Sequence, residues 1–329
     1  MSTATAPPTE IARKSPANLR GRLEQLLAFA GLIVIVVFFA IANENFRTVS
    51  NVTAILFSTV VIGVLALGTT FVIITGGIDL SIGTGMTLSA VMSGVFLINW
   101  NLPLGLGLLL TVLFGGLIGM VNGFNVAVLG IPPFIATLAM MLVAQGLALV
   151  LSHSAPIYFN ALPAFSQLSS GELIPKIPNA VLVLAVLAVI AAVLLRRTIF
   201  GRYTFSIGSN EEATALSGIN TRKWKLLIYT VAGLFTGIAG IMISARLGSA
   251  QPATGAGYEL QAIAAVVIGG TSLTGGKGSI VGTVIGALII SVLNNGLRIM
   301  SIPQEWQNVI LGLVILGAVY ADMARKKTA

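Results

Sequence analysis

The sequence has 329 residues, of which 56% are hydrophobic and only 9% are charged. Soluble domains average about 45–50% apolar and about 25% charged residues, so this composition excludes a soluble enzyme, a nucleic-acid-binding protein and a disordered chain. The chain has no cysteine and a single histidine, His153. These counts exclude a disulfide framework, a thiolate nucleophile and a multi-histidine metal site.

The first 25 residues form a polar and basic stretch that contains three prolines. Because such a composition buries too little apolar surface to fold, we expect residues 1–25 to be a disordered basic arm. An apolar run follows at 26–42. A signal peptide is the alternative interpretation, but the run is longer than a usual h-region and no small-x-small cleavage site follows it directly. The pattern favours an uncleaved first helix.

Nine further apolar runs follow. A spanning helix needs about 20 apolar residues, and lipid forces each segment to pair its own backbone groups, so such runs form helices. The sequence predicts an all-α polytopic membrane protein with about ten transmembrane helices, in one domain over 26–322 before a basic tail at 323–329. The eighth run is too short to cross alone, so eight or nine crossings with a re-entrant piece is the alternative. The runs are 26–42, 52–75, 82–98, 102–129, 134–151, 180–195, 226–245, 262–273, 280–297 and 309–320.

The formal net charge of +8 is explained by orientation in the membrane. Lysine and arginine collect in the short loops on the cytoplasmic side. With an even number of helices both termini share one side, which then holds fourteen of the 18 basic residues. We therefore expect cytoplasmic termini, a cytoplasmic loop at about 196–225 and an external loop at about 153–179. The charge is an insertion signal, and no nucleic-acid partner is expected.

Glycines at four-residue steps mark three of the predicted helices. Small residues on one helix face let two backbones approach closely within a membrane, so we expect helix packing, and no ligand site, from each stripe. The stripes are Gly115, Gly119 and Gly123; Gly233 and Gly237; and Gly278, Gly282 and Gly286.

Two glycine-rich breaks interrupt the apolar runs. The first, at 76–85, reads GGIDLSIGTG, and the second, at 269–278, reads GGTSLTGGKG, with five of ten positions identical. Glycine-interrupted segments in corresponding halves point to the translocation site of a transporter. An internal repeat is one interpretation, and chance matching in glycine-rich sequence is the other. Each break either lines a pathway or simply ends a helix.

Asp79 is the only acid that we expect at or near membrane depth, where a carboxylate is a functional hypothesis by default. The favoured interpretation is that Asp79 or Ser81 caps the helix beginning near Ile82; pathway lining is the alternative. Asn122 and Asn125 fall near the cytoplasmic end of the fourth helix, where polar packing explains them equally well. The candidate pathway residues are Gly76, Gly77, Asp79, Ser81, Asn122, Asn125, Gly269, Gly270, Thr271 and Ser272.

The stretch 270–278 superficially suggests a phosphate-binding loop. The pattern G-x-x-x-x-G-K-[ST] requires glycine where Thr271 stands and serine or threonine where Gly278 stands. The motif fails at both positions. We therefore expect neither ATP hydrolysis nor a catalytic or metal-binding residue in this chain.

The predicted cytoplasmic loop contains a short helix at 210–217. Ser209 and Glu212 have the spacing of a capping box, and Gly218 suits the left-handed residue that ends a helix. A solvent-facing helix this short is marginal in water, so we expect another protein to pack on it. An amphipathic linker lying on the membrane is the alternative.

Four segments together resemble the ribose and simple-sugar permeases of binding-protein-dependent ABC importers. Residues 211–219, EEATALSGI, are similar to the coupling loop of ABC importer permeases. Residues 76–81 (GGIDLS), 130–138 (GIPPFIATL) and 258–272 (YELQAIAAVVIGGTS) resemble the sugar branch. The resemblance covers about 25–322, with one departure at Gln261, where many members have aspartate.

The resemblance implies the multi-pass permease subunit of an ATP-driven importer for a small sugar or polyol in the bacterial inner membrane. It implies a separate ATPase that holds ATP and Mg, an external sugar-binding protein, and a second permease chain, most simply an identical one; no cofactor is expected in this chain. A stand-alone ion-coupled carrier that uses Asp79 is the alternative function. Which sugar is carried stays open, as does the choice between a homodimer and a heterodimer.

On this resemblance, the helix near 210–218 sits in a cleft of the ATPase. Glu211 and Glu212 would accept hydrogen bonds from basic groups there, and small residues would permit close backbone contact. The implied coupling residues are Asn210, Glu211, Glu212, Ala213, Ala215 and Gly218.

Overall fold

The computed structural model describes the backbone of residues 16–327 and the side chains of residues 26–320 and 323. Residues 1–15 of the predicted basic arm lie outside the described residues. The first helix begins at Pro16, so the last ten residues of the predicted arm are helical.

Thirteen α-helices make up most of the described chain, and α3 continues into a π-helical turn at Val95–Asn99. A 3-10 turn at Glu44–Arg47 lies between α1 and α2. The helices are α1 (Pro16–Ala42), α2 (Val49–Ile74), α3 (Ile82–Gly94), α4 (Leu104–Ala127), α5 (Pro133–Leu151), α6 (Pro163–Ser170), α7 (Asn179–Arg197), α8 (Ile199–Ser209), α9 (Glu211–Leu216), α10 (Thr221–Leu247), α11 (Tyr258–Ile268), α12 (Ile280–Ile299) and α13 (Gln304–Lys327).

Seven of the described helices are long and apolar enough to span a membrane: α2, α3 with its π turn, α4, α5, α7, α10 and α12. Each of the ten apolar runs falls on one helix, which confirms an all-α polytopic fold. The eighth run corresponds to α11, whose 11 residues extend only about 16 Å. The number of crossings and the side on which the termini lie stay predictions.

The centre of the bundle is formed by α2 and α3 with its π turn. In the most apolar stretch of each, 89% of the residues are buried, whereas α4, α5 and α7 lie at the outside. The glycine stripes confirm their predicted role in packing. A Cβ on Gly119 of α4 would overlap the carbonyl oxygen of Tyr229 on α10, and a Cβ on Gly286 of α12 would overlap that of Ala265 on α11. Close helix pairs of this kind need glycine.

The connections lie at two ends of the bundle. One end carries α8, α9 and the loops at 128–132 and 269–279, and we call it the α9 end. The opposite end carries α6 and a short antiparallel pair of two-residue strands, β1 (Ile157–Tyr158) and β2 (Ser249–Ala250), and we call it the strand-pair end. The loop predicted at 153–179 therefore contains β1 and the short helix α6.

Candidate coupling and translocation site

Helix α9 confirms the short helix predicted at 210–217, with a different cap. Asn210, and not Ser209, is the N-cap residue: its side chain accepts a hydrogen bond from the backbone N–H of Ala213 at 2.9 Å. Ser209 is still part of α8, so the predicted capping box with Glu212 is wrong. The reason is that a second helix reaches the same residues, which leaves the extended Asn210 as the junction.

All six residues implied in coupling are exposed, and the left-handed stop at Gly218 (φ 83°) is confirmed. Only Thr214 of α9 is buried. Leu216 is 83% exposed, and an apolar side chain of this size gains free energy when a partner removes it from water. The coupling candidates at this surface are Asn210, Glu211, Glu212, Ala213, Ala215 and Gly218.

The two acids of α9 differ in their surroundings. Glu211 forms an ion pair with Lys225 of α10. Glu212 is exposed and has no ion-pair partner among the described side chains. Of the two, Glu212 is the carboxylate free to meet a basic group of another protein.

Helix α8 is an element that sequence reasoning missed. Thr198 caps it by accepting a hydrogen bond from the N–H of Gly201, and Gly201, Thr204 and Ile207 are its buried residues. The signal was present as a threonine N-cap followed by buried positions three residues apart. The polar residues Arg202 and Ser206 of the same helix make the segment resemble a polar loop in the sequence.

The first glycine break starts where α2 ends. Gly76 is left-handed (φ 77°), and the N–H of Gly77 donates to the carbonyl of Val72 at 3.1 Å. This is the hydrogen-bond pattern of a Schellman ending. The break therefore terminates α2 and returns the chain into the bundle toward α3.

Asp79, Ser81 and Asn122 form a buried polar cluster within the first break. The Asp79 carboxylate accepts from the Ser81 N–H at 2.9 Å and from the Ser81 hydroxyl at 2.7 Å. Asn122 of α4 donates its amide to the Ser81 hydroxyl at 2.8 Å and reaches both carboxylate oxygens at 3.5 Å. Each of the three residues is at most 3% exposed.

The cluster corrects the predicted helix cap. Ser81 occupies the N-cap position of α3 but makes no side-chain cap bond. Asp79 accepts the N–H of Ser81 itself, and so it holds the backbone one residue before the helix. The cap prediction fails because the Ser81 hydroxyl is already shared between Asp79 and Asn122.

The second break repeats this ending after α11. Gly270 is left-handed (φ 89°), and the N–H of Thr271 donates to the carbonyl of Val266 at 3.1 Å. In the structure Gly270 is therefore equivalent to Gly76. The alignment of the two break sequences paired Gly76 with Gly269 instead, which differs by one residue. Thr271 and Ser272 are buried. A shared ending is a local motif, so the internal repeat stays a prediction.

The structure brings the two breaks together. The N–H of Gly276 donates to the carbonyl of Ile74 at 2.9 Å, and Gly275 lies beside the same carbonyl. Asn125 is apart from the Asp79 cluster and is only partly buried on α4. The other pathway candidates thus occupy one connected region near the α9 end.

Sequence reasoning missed two buried polar residues near the breaks. Glu259 at the start of α11 is 8% exposed, and its carboxylate accepts from the N–H of Gly257 at 3.0 Å. Asp79 is therefore not the only acid buried in the bundle. The hydroxyl of Tyr229 on α10 is buried beside Gly77 and has no hydrogen-bond partner among the described residues. The available signals were a lone tyrosine inside the apolar run 226–245 and a lone acid shortly before the run 262–273.

Comparison with known proteins identifies the family. A family profile described as "Branched-chain amino acid transport system / permease component" matches residues 51–319. The ribose import permease of Bacillus subtilis is 43% identical over 310 residues, which cover 94% of this chain and 95% of the relative. The ribose import permease of Escherichia coli K12 is 41% identical, with 88% and 91% covered.

The xylose transport system permease of Haemophilus influenzae is 34% identical over 365 residues, covering 93% of this chain and 97% of that protein. The search of solved structures found no significant match. The chain therefore belongs to this family of membrane permease components and is a transport subunit, not an enzyme.

Proposed function

We propose that this chain is the permease of an ATP-driven importer for a small neutral sugar in the bacterial inner membrane. The relatives named above are ribose and xylose permeases, and both sugars are aldopentoses, so an aldopentose is the substrate class. The observation that carries the proposal is α9, an exposed helix on a chain without a phosphate-binding loop. Energy for uptake then comes from a separate protein that contacts this helix.

The proposed assembly contains two permease chains, an ATPase and an external binding protein. The ATPase docks at the α9 end and holds ATP and Mg, while the binding protein delivers sugar at the strand-pair end. Basic loop residues favour this orientation because those of 196–225 and Lys277 all belong to the α9 end, which is then cytoplasmic. A homodimer is the simplest pairing, and 26–322 serves as one transmembrane domain.

The breaks are proposed as the part of the chain that opens for the sugar. Their side chains offer hydroxyl and amide groups, which suit a neutral polyhydroxylated substrate that is moved and not retained. In the described conformation Asp79, Asn122 and Thr271 are enclosed by their own chain. Sugar therefore reaches this region only when the breaks separate.

A stand-alone carrier driven through Asp79 is the weaker proposal. Its carboxylate accepts two hydrogen bonds from Ser81 and contacts Asn122, which suits a structural role. A coupling acid must bind and release an ion in each cycle, and that would break these bonds every time.

Reconstitution into vesicles loaded with ATP and Mg tests the two functions against each other. We expect uptake of labelled ribose or xylose to require the ATPase and the binding protein and to survive a protonophore. An ATPase whose phosphate-loop lysine is replaced is the matched control and should abolish uptake. Accumulation of sugar by the chain alone would contradict the proposal. Loss of uptake by the complete complex when the protonophore is added would also contradict it.

A further inference from the structure

A single residue, Asn210, joins α8 to α9, and its backbone is hydrogen-bonded to both helices. The backbone N–H of Asn210 donates to the carbonyl of Ser206 in α8 at 3.0 Å, and its own carbonyl accepts from the N–H and the hydroxyl of Thr214 in α9 at 3.1 and 2.7 Å. Its side chain also caps α9. A displacement of α9 is therefore passed to α8, because no flexible loop lies between them to absorb it.

Helix α8 lies against the membrane helices along its length. The Phe200 ring meets Phe71 of α2 edge-on at 5.5 Å, and the Tyr203 ring meets Trp224 of α10 at 4.8 Å. Its packing on α2 and α10 brings the C-terminal end of α8 to the place where α2 stops. The helix thus reaches from the exposed α9 to the buried breaks.

Gly208 is the point of contact between α8 and both breaks. A Cβ on Gly208 would overlap the carbonyl oxygen of Ile74 and lie 2.7 Å from the backbone nitrogen of Gly276. A Cβ on Gly275 would in turn lie 2.7 Å from the carbonyl oxygen of Gly208. Three backbones therefore meet here with no side chain between them, and the Gly276-to-Ile74 hydrogen bond joins two of them.

We propose that α8 transmits the movement of α9 to both breaks, with Gly208 as the positioning residue at its end. The proposal rests on the proposed function, in which the ATPase moves α9. Ile74 immediately precedes the break that carries Asp79, and Gly276 belongs to the break that carries Thr271. Because backbone packed on backbone leaves no side chain to yield, the three segments move as one body.

The first test replaces Gly208 with alanine in the reconstituted complex. ATP hydrolysis and uptake of labelled sugar are measured in the same vesicles. For Gly208→Ala we expect uptake per ATP to fall at least about tenfold, while hydrolysis stays close to that of the unmodified complex. Gly31→Ala is the control, since a Cβ there meets nothing within 4 Å. A merely structural role would lower hydrolysis and uptake together, and an unchanged uptake per ATP overturns the proposal.

The second test keeps Gly208 and uses the absence of native cysteine. A Cβ on Gly276 would lie 3.2 Å from the Cα of Ser209. The two Cα atoms are therefore about 5 Å apart or less, a distance that a disulfide can bridge. In the double variant Ser209→Cys and Gly276→Cys we expect the oxidised form to transport as fast as the reduced form. Oxidation that stops uptake, with recovery in dithiothreitol and no effect on either single variant, would show that α8 slides against the break and overturn the proposal.

The unmodified complex separates the two proposals. If it shows no ATP-dependent uptake, the proposed function fails. If it transports normally and Gly208→Ala remains fully coupled, only the transmission through α8 fails.

Discussion

Helix α9 and the first glycine break are opposite solutions to placing polar groups at the edge of a membrane bundle. In α9 a single residue, Thr214, is buried, and the Asn210 side chain caps the helix by accepting a hydrogen bond from the backbone N–H of Ala213. In the break, Asp79 and Ser81 are buried and depend on Asn122, a residue 43 positions away from Asp79. One region leaves its surface exposed, while the other uses its polar groups to hold the chain together. We therefore expect substitutions in α9 to reduce transport and substitutions in the break to reduce stability.

The largest expected effect is on transport through α9. Glu212→Lys places a cation where the ATPase is proposed to present basic groups, and like charges across an interface cost several kcal/mol. We expect uptake to fall by about a hundredfold, while membrane insertion and the thermal midpoint of the purified chain stay unchanged. Labelled-sugar uptake and a thermal unfolding assay in detergent measure the two effects.

Glu44→Lys is the matched control, because it makes the same change on an exposed residue of the 3-10 turn, away from α9. If both variants lose uptake equally, the loss follows from charge alone. A Glu212→Lys variant with normal uptake would remove α9 from the docking surface.

The next effect is on stability at the break. Asp79→Leu leaves the Ser81 hydroxyl and the Ser81 N–H without their acceptor, at a cost of about 1–3 kcal/mol for an unsatisfied buried group. We expect a clear fall in the thermal midpoint of the purified chain. Asp79→Asn retains an oxygen acceptor and should lose less. If both variants keep the midpoint of the unmodified chain, the cluster contributes nothing to folding.

The smallest effect is expected at the ion pair beneath α9. Lys225→Met removes the partner of Glu211, but the two side chains are 19% and 46% exposed, and water and salt weaken such a pair to less than about 1 kcal/mol. The thermal midpoint and uptake should change little. A large loss of uptake with unchanged stability would instead show that Lys225 orients α9 for its partner.

Features set by local sequence were predictable. The ten apolar runs located ten of the helices, and Gly218 located the end of α9, because hydrophobic length and glycine at a left-handed position act within a few residues. The α8 helix was missed, although its local signal was present, because polar residues obscured it. That omission also misplaced the cap, which shifted from Ser209 to Asn210 once a second helix occupied the loop.

Contacts between distant segments could not be derived from the sequence. The bond of Asn122 to Ser81 spans 41 residues, and the contact of Gly276 with Ile74 spans about two hundred. Both depend on how whole helices pack, which single-sequence patterns do not encode. The burial of Glu259 could not be derived from the sequence either, because it depends on where the short α11 begins within the bundle.

The separation of the α9 side chains from the Asp79 cluster bears on how importers of this design diversify. The six residues of α9 share no side-chain hydrogen bond with the Asp79 cluster among the described residues. On the proposed function, changes that adapt the interior to a different sugar therefore leave unchanged the α9 surface that the ATPase contacts. On the same proposal, a single ATPase can serve several permeases, provided that each presents an α9 surface of the same shape.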